Sequence, residues 1–171
     1  MTLCRFSGSF RLMLVGLLLS APMAVEARDV LGVYERWGAF RDPAQGRCFA
    51  MAQPLAGGWE KSPWRPFASI GYWPKQKVRG QFNLRLSHQL APQTRATLTV
   101  GTQRFALVGR EADMWATDER VDAAIVAALR TSKSMTVTGQ ARSGGGFTDR
   151  YDLRGVATAI DAAALACAPK R

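Results

Sequence analysis

The sequence predicts a mainly β, single-domain antiparallel β-sandwich with two short helices. Three observations predict it. Several short segments alternate apolar and polar residues strictly, as strands do when one face is buried and the other wet. Turns marked by Gly and Pro separate these segments. Helical spacing is confined to two stretches and does not alternate with strands, which argues against a parallel βαβ architecture. An open α+β sheet is the competing arrangement.

Taken in chain order, residues 31–40, 47–53 and 67–73 read as early strands. Residues 81–87 alternate without a break and place Phe82, Leu84 and Leu86 on one face. Thr97–Val100 repeats the pattern, and Gly101-Thr102 offers a tight turn into residues 103–108, a hairpin. Residues 135–138 and 147–153 flank Ser143-Gly144-Gly145-Gly146, a second hairpin with a flexible tip. Val121, Ala124, Ile125, Ala128 and Leu129 form one apolar stripe at helical spacing. Asp118, Glu119 and Asp122 crowd its start and Arg130 its end, as the helix dipole favours. A second helix is expected over about Val156–Ala166, with Val156, Ile160, Ala163 and Cys167 on one side.

The first 27 residues have the order of a secretory signal. Arg5 and Arg11 precede the apolar run from Leu12 to Leu19, Pro22 breaks it, and Val25-Glu26-Ala27 supplies a cleavage site. Cleavage is expected between Ala27 and Arg28, leaving residues 28–171 as one domain. The alternative, an uncleaved anchor, conflicts with an apolar run far short of the ~20 residues that span a bilayer. The chain carries +10, and loss of Arg5, Arg11 and Glu26 leaves +9. Such a surplus suits acidic partners or simply keeps the protein soluble. The cations are dispersed, with no block that marks a nucleic-acid arm.

Cleavage would also remove Cys4 and leave Cys48 and Cys167. An even pair in an exported chain points to one disulfide, the alternative being two free thiols. Closing that loop of about 120 residues would contribute at most about 4.9 kcal/mol through chain entropy.

Signals of chemistry are few. His88 is the single histidine and no Gly-x-Ser-x-Gly elbow occurs, so serine hydrolase and zinc chemistry are not indicated. No cofactor is implied, and His88 reads as a surface or turn residue. Glu111, Asp113, Asp118, Glu119 and Asp122 form an acidic cluster that could do acid–base work but lacks calcium-loop spacing. The most suggestive binding patch interleaves Trp59, Trp64 and Trp73 with Lys61, Arg65 and Lys75. Aromatics with cations suit sugars, nucleotides or acidic headgroups. The competing reading packs the rings inward and leaves the lysines to guard a strand edge.

Several segments together resemble the invasion-associated locus B family of alphaproteobacterial envelope proteins. They are the signal segment, Trp37-Gly38-Ala39-Phe40 before Cys48-Phe49-Ala50, the stretch from Asp122 to Arg130, and Ser134-Met135-Thr136-Val137. The run from Tyr151 to Ile160 resembles the family's closing segment, with Gly155 and Ala159 in place. Family members often carry cysteines where this chain has Arg41 and around Ala112–Ala116, so their disulfide pattern does not transfer. The resemblance implies an exported, β-rich, non-enzymatic protein, with the family named for a role in host-cell invasion. The expected function is a binding or structural module in the periplasm or at the cell surface. Its partner would be another envelope component or an acidic surface. The alternative is an envelope hydrolase using the acidic cluster from Asp113 to Asp122.

Overall fold

The computed structural model describes residues 28–57 and 59–169. The expected signal segment, including Ala27, lies outside the described residues. Ten strands form one antiparallel ladder: β1 (Asp29–Tyr34), β2 (Trp37–Asp42), β3 (Arg47–Ala52), β4 (Phe67–Trp73), β5 (Val78–Arg85), β6 (Thr97–Val100), β7 (Gln103–Arg110), β8 (Asp113–Ala116), β9 (Ser134–Gln140) and β10 (Gly146–Asp152). Two α-helices, α1 (Glu119–Thr131) and α2 (Val156–Ala166), and a single 3-10 turn at Pro74–Gln76 complete it among the described residues. The spatial order is β1-β2-β3-β4-β5-β8-β7-β6-β9-β10. The molecule is therefore mainly β, with two short helices, as the alternation predicts.

The ladder folds back on itself, so the two layers belong to one continuous sheet. Three contacts fix the return of β10 toward the first half. Trp37 Nε1 donates to the Asp152 carbonyl at 2.9 Å, Leu55 N to the Arg150 carbonyl at 2.7 Å, and Ser87 N to the Asp149 carboxylate at 2.9 Å. Phe82, Leu84 and Leu86 are fully buried on the inner face, with Leu98, Val100, Met135, Val137 and Tyr151 among the residues that fill the same core. Their period of two is why the strands were legible.

Two elements differ from expectation. Residues 31–40 are not one strand but the hairpin β1–β2, with Tyr34 paired to Trp37 across Glu35-Arg36. Glu35 takes the left-handed conformation, φ 54°, without the glycine or asparagine that usually marks such a turn. The second is β8, inserted between β5 and β7 from a segment that reads as part of an acidic cluster. Its Met114 and Ala116 are buried while Asp113 and Trp115 face outward, a strand too short for its alternation to stand out.

The helices follow their stripes. Asp118 caps α1, its Oδ1 accepting from Arg120 N at 2.9 Å and Val121 N at 3.0 Å. Ile125, Ala128 and Leu129 are buried there, whereas Ala124 is exposed. Helix α2 buries Val156, Ala159, Ile160 and Ala163 and packs on β1, β2 and β3. Across those strands, Ala39 pairs with Ala50, so small side chains on the facing sheet let the alanine-rich helix sit close. The chain enters α2 through Gly155 at φ 84°, where an added Cβ would lie 2.0 Å from the Tyr34 carbonyl oxygen. Only glycine fits there.

Cys48 and Cys167 are joined by a disulfide, with Cα atoms 5.7 Å apart. The bond fastens the C-terminal cap of α2 to β3, as the cysteine count leads one to expect.

Candidate functional site

The aromatic–basic patch divides into two places. Strand β4 spans the distance between them, seven residues or roughly 20 Å of extended chain. At one end, Trp73 lies on the outer face of the sheet beside the disulfide-bonded end. Its ring lies close over Gly71, where an added Cβ would sit 2.3 Å from Trp73 Cζ3, and the Arg47 guanidinium lies 5.8 Å from the ring centroid. Lys75 lines a cleft there with Arg41, Asp42 and Arg47. At the other end, Trp59, Lys61, Trp64 and Arg65 belong to the long β3–β4 loop. Trp59 folds back on that loop, its Nε1 donating to the Leu55 carbonyl at 3.0 Å. Arg65 is exposed.

Lys61 and Trp64 line the candidate site. This is a cleft of about 570 Å³ between the β3–β4 loop, the segment after β5 and the β9–β10 turn. Backbone hydrogen bonds assemble it. Ala91 N donates to the Gln140 carbonyl at 2.9 Å and Arg142 N to the Gln89 carbonyl at 2.8 Å, tying the segment after β5 to the end of β9. Trp64 Nε1 donates to the Leu86 carbonyl at 2.8 Å, which holds the loop against that same segment. The result brings Lys61, Trp64, Ser87, His88, Gln89 and Arg142 around one opening.

Ser87 and His88 are fixed from behind. The His88 ring stacks on Phe147, centroids 5.2 Å apart, and its Nδ1 lies 2.8 Å from Ser87 Oγ. Ser87 in turn rests on Asp149, which is buried in the inner row of β10. Loss of solvent pushes the Asp149 carboxyl above its ordinary range, against the lowering effect of the Ser87 hydrogen bonds and of His88. The order of contacts, carboxylate to serine to imidazole, is not that of a nucleophilic relay, in which the histidine stands between the other two.

The raised Asp149 carboxyl has a sign that can be checked. Between the ordinary carboxylate pKa and the raised folded value, the folded protein keeps a proton that the unfolded chain has lost. The contribution to stability therefore falls as pH rises through that window and levels off above it. Asp149→Asn keeps an acceptor for Ser87 N and should abolish this fall, seen as the difference between variant and parent urea midpoints across mildly acid to neutral pH. A constant difference would contradict it.

The fold of this chain has a solved counterpart. It matches the crystal structure of invasion associated protein B from Bartonella henselae with a TM-score of 0.53 at 18% sequence identity, covering 76% of this chain and 92% of that one. The likeness is one of fold. No family model and no curated protein matches the chain.

The acidic cluster lies elsewhere on this fold, and three of its five members are engaged. Asp113 pairs with Arg85 through two contacts of 2.8 and 2.9 Å. Asp118 caps α1, and hydrogen bonds led by the Val121 amide hold its carboxyl below the ordinary range. Asp122 accepts from Phe82 N at 2.7 Å and is raised by burial, the amide opposing. Glu111 and Glu119 are exposed. None of the five lines the Trp64–His88 cleft. Among the described residues, no group of three or more His, Cys, Asp or Glu side chains is placed to hold a metal ion. No helix among them is long and apolar enough to cross a membrane.

Sequence reasoning missed Ser87, His88, Gln89, Arg142 and Ser143 as site residues. Gln89 and Arg142 are 53 positions apart and meet only through the pairing of the segment after β5 with the end of β9. No local spacing signals that approach.

Proposed function

We propose that this chain is an exported, non-enzymatic envelope protein related to the invasion-associated locus B proteins. It acts as a binding module that holds an acidic envelope component in the Trp64–His88 cleft. The observation that carries this reading is the pair of cations at the opening. Neither Lys61 nor Arg142 has a carboxylate within ion-pair distance among the described residues. Asp149 is buried behind Ser87, where loss of solvent raises its carboxyl above the ordinary range. The alternative, an envelope hydrolase built on Asp113 to Asp122, loses support from a geometry in which Asp118 caps a helix, Asp122 meets an amide and Asp113 pairs with an arginine.

Retention on isolated envelope material is the test. Replacing both Lys61 and Arg142 with Ser should weaken retention about tenfold or more, the scale of one or two charge-assisted contacts. Lys77→Ser with Arg79→Ser, which removes the same charge from another exposed surface, should leave retention near the parent value. Equal losses from both pairs, fading together with added salt, would reduce the interaction to nonspecific attraction and overturn the proposal.

A further inference from the structure

We infer that the Trp64–His88 cleft takes a short saccharide carrying an anionic group. This inference rests on the binding reading above and narrows its ligand. Three features of the cleft point to a hydroxyl-rich molecule rather than to a bare anion or a nucleotide.

The first is the pair of held rings. Trp64 spends its only donor on the Leu86 carbonyl, so what it offers the cleft is ring hydrocarbon. The His88 ring is clamped between Phe147 and Ser87 Oγ, and its Nε2 has no protein partner among the described residues. A flat apolar surface beside a fixed polar atom suits a sugar, which has C–H groups on its faces and hydroxyls around its rim.

The second is the mixed make-up of the wall. Apart from Pro63 and Trp64, every lining residue carries a polar group, while much of the surface these side chains present is carbon, a mixture of C–H faces and polar atoms that matches a sugar's own. Ser62 supplies an additional unmet group, a hydroxyl buried in this wall with no hydrogen-bond partner among the described residues. Buried polar atoms are rarely left unpaired, and a small adjustment of this loop on ligand contact would satisfy it. No helix N-terminus or glycine-rich turn into a helix contributes, so the backbone cradle that fixes a nucleotide phosphate is missing among the lining residues.

The third is charge. Lys61 and Arg142 arrive from separate loops and stand without carboxylate partners among the described residues. A neutral sugar would leave both unmatched, whereas a carboxylate or phosphate substituent would meet them while the ring lies by Trp64. The cleft, about 570 Å³, falls in the range of small-ligand sites.

Three probes of equal length separate the components of this inference: trigalacturonate, maltotriose and triglutamate. Titrations followed by calorimetry and by the indole N–H resonance of Trp64 should show trigalacturonate binding at least about tenfold more tightly than either other probe. Arg142→Ser, a change on an exposed turn, should reduce trigalacturonate binding about tenfold without shifting the thermal midpoint. Triglutamate binding as tightly as trigalacturonate would overturn the saccharide inference and leave the acidic-ligand reading standing. So would absence of trigalacturonate binding by a protein whose envelope retention still depends on Lys61 and Arg142. Absence of all three, with retention indifferent to those residues, would overturn both.

Discussion

Trp37→Ala should cost about 4 kcal/mol of stability and lower the thermal midpoint by roughly 12 °C. Trp37 is fully buried where β2 meets the end of β10. Its ring fills the core under α2 and its Nε1 closes the fold by donating to the Asp152 carbonyl. Truncation removes both, leaving a cavity in a close-packed region and an unpartnered carbonyl. Trp37→Phe separates the two effects, since it refills most of the space but restores no donor. That variant should lose only about 1–2 kcal/mol, the cost of one unmet buried acceptor. Urea unfolding of the three proteins checks this, and equal losses for Ala and Phe would place the whole effect in the hydrogen bond.

The disulfide is the second large contribution. Replacing Cys48 and Cys167 together with Ala should destabilise the protein by about 3–5 kcal/mol. The bond joins residues 119 apart, so it restricts the unfolded chain over most of the domain's length. Reduction of the parent protein should produce a comparable drop in the urea midpoint, and coincident curves for oxidised and reduced protein would refute it. Hydrogen exchange should locate the first consequence at the end of α2, where Cys167 N still donates to the Ala163 carbonyl but covalent attachment to β3 is gone.

Much of this fold is written in local pattern. Strand β6 and helix α2 coincide with the segments their periodicity marks, because each has one face in the core and the other in water or on its neighbour, and β4 falls on the strand expected over residues 67–73. The β1–β2 turn was illegible because Glu35 adopts a glycine-like backbone conformation that its residue type does not advertise. Strand β8 was illegible because four residues carry too little alternation, and Asp113 looked like chemistry although it serves Arg85. The candidate site was legible only in Lys61 and Trp64. Trp73 and Lys75 share the same composition signal but sit at the far end of β4, since an extended strand converts a short sequence interval into a long distance. Ser87, His88 and Arg142 entered the site through pairing between distant segments, which residue spacing does not encode.

The position of α2 has a consequence for the order in which the molecule can form. The last helix covers the first three strands, and one of them carries the partner of its cysteine. A chain made or delivered from its N-terminus therefore presents β1, β2 and β3 long before their cover exists. Ala39, Ala50 and Trp37 remain wet until residues beyond Gly155 are available. Native contacts of such long sequence separation give a high contact order, so folding is paced by the search for a distant segment rather than by local collapse. The single native cross-link is then a late event. It locks an arrangement already reached and gives little guidance along the way, and loss of the final dozen residues would leave a sheet with one face uncovered.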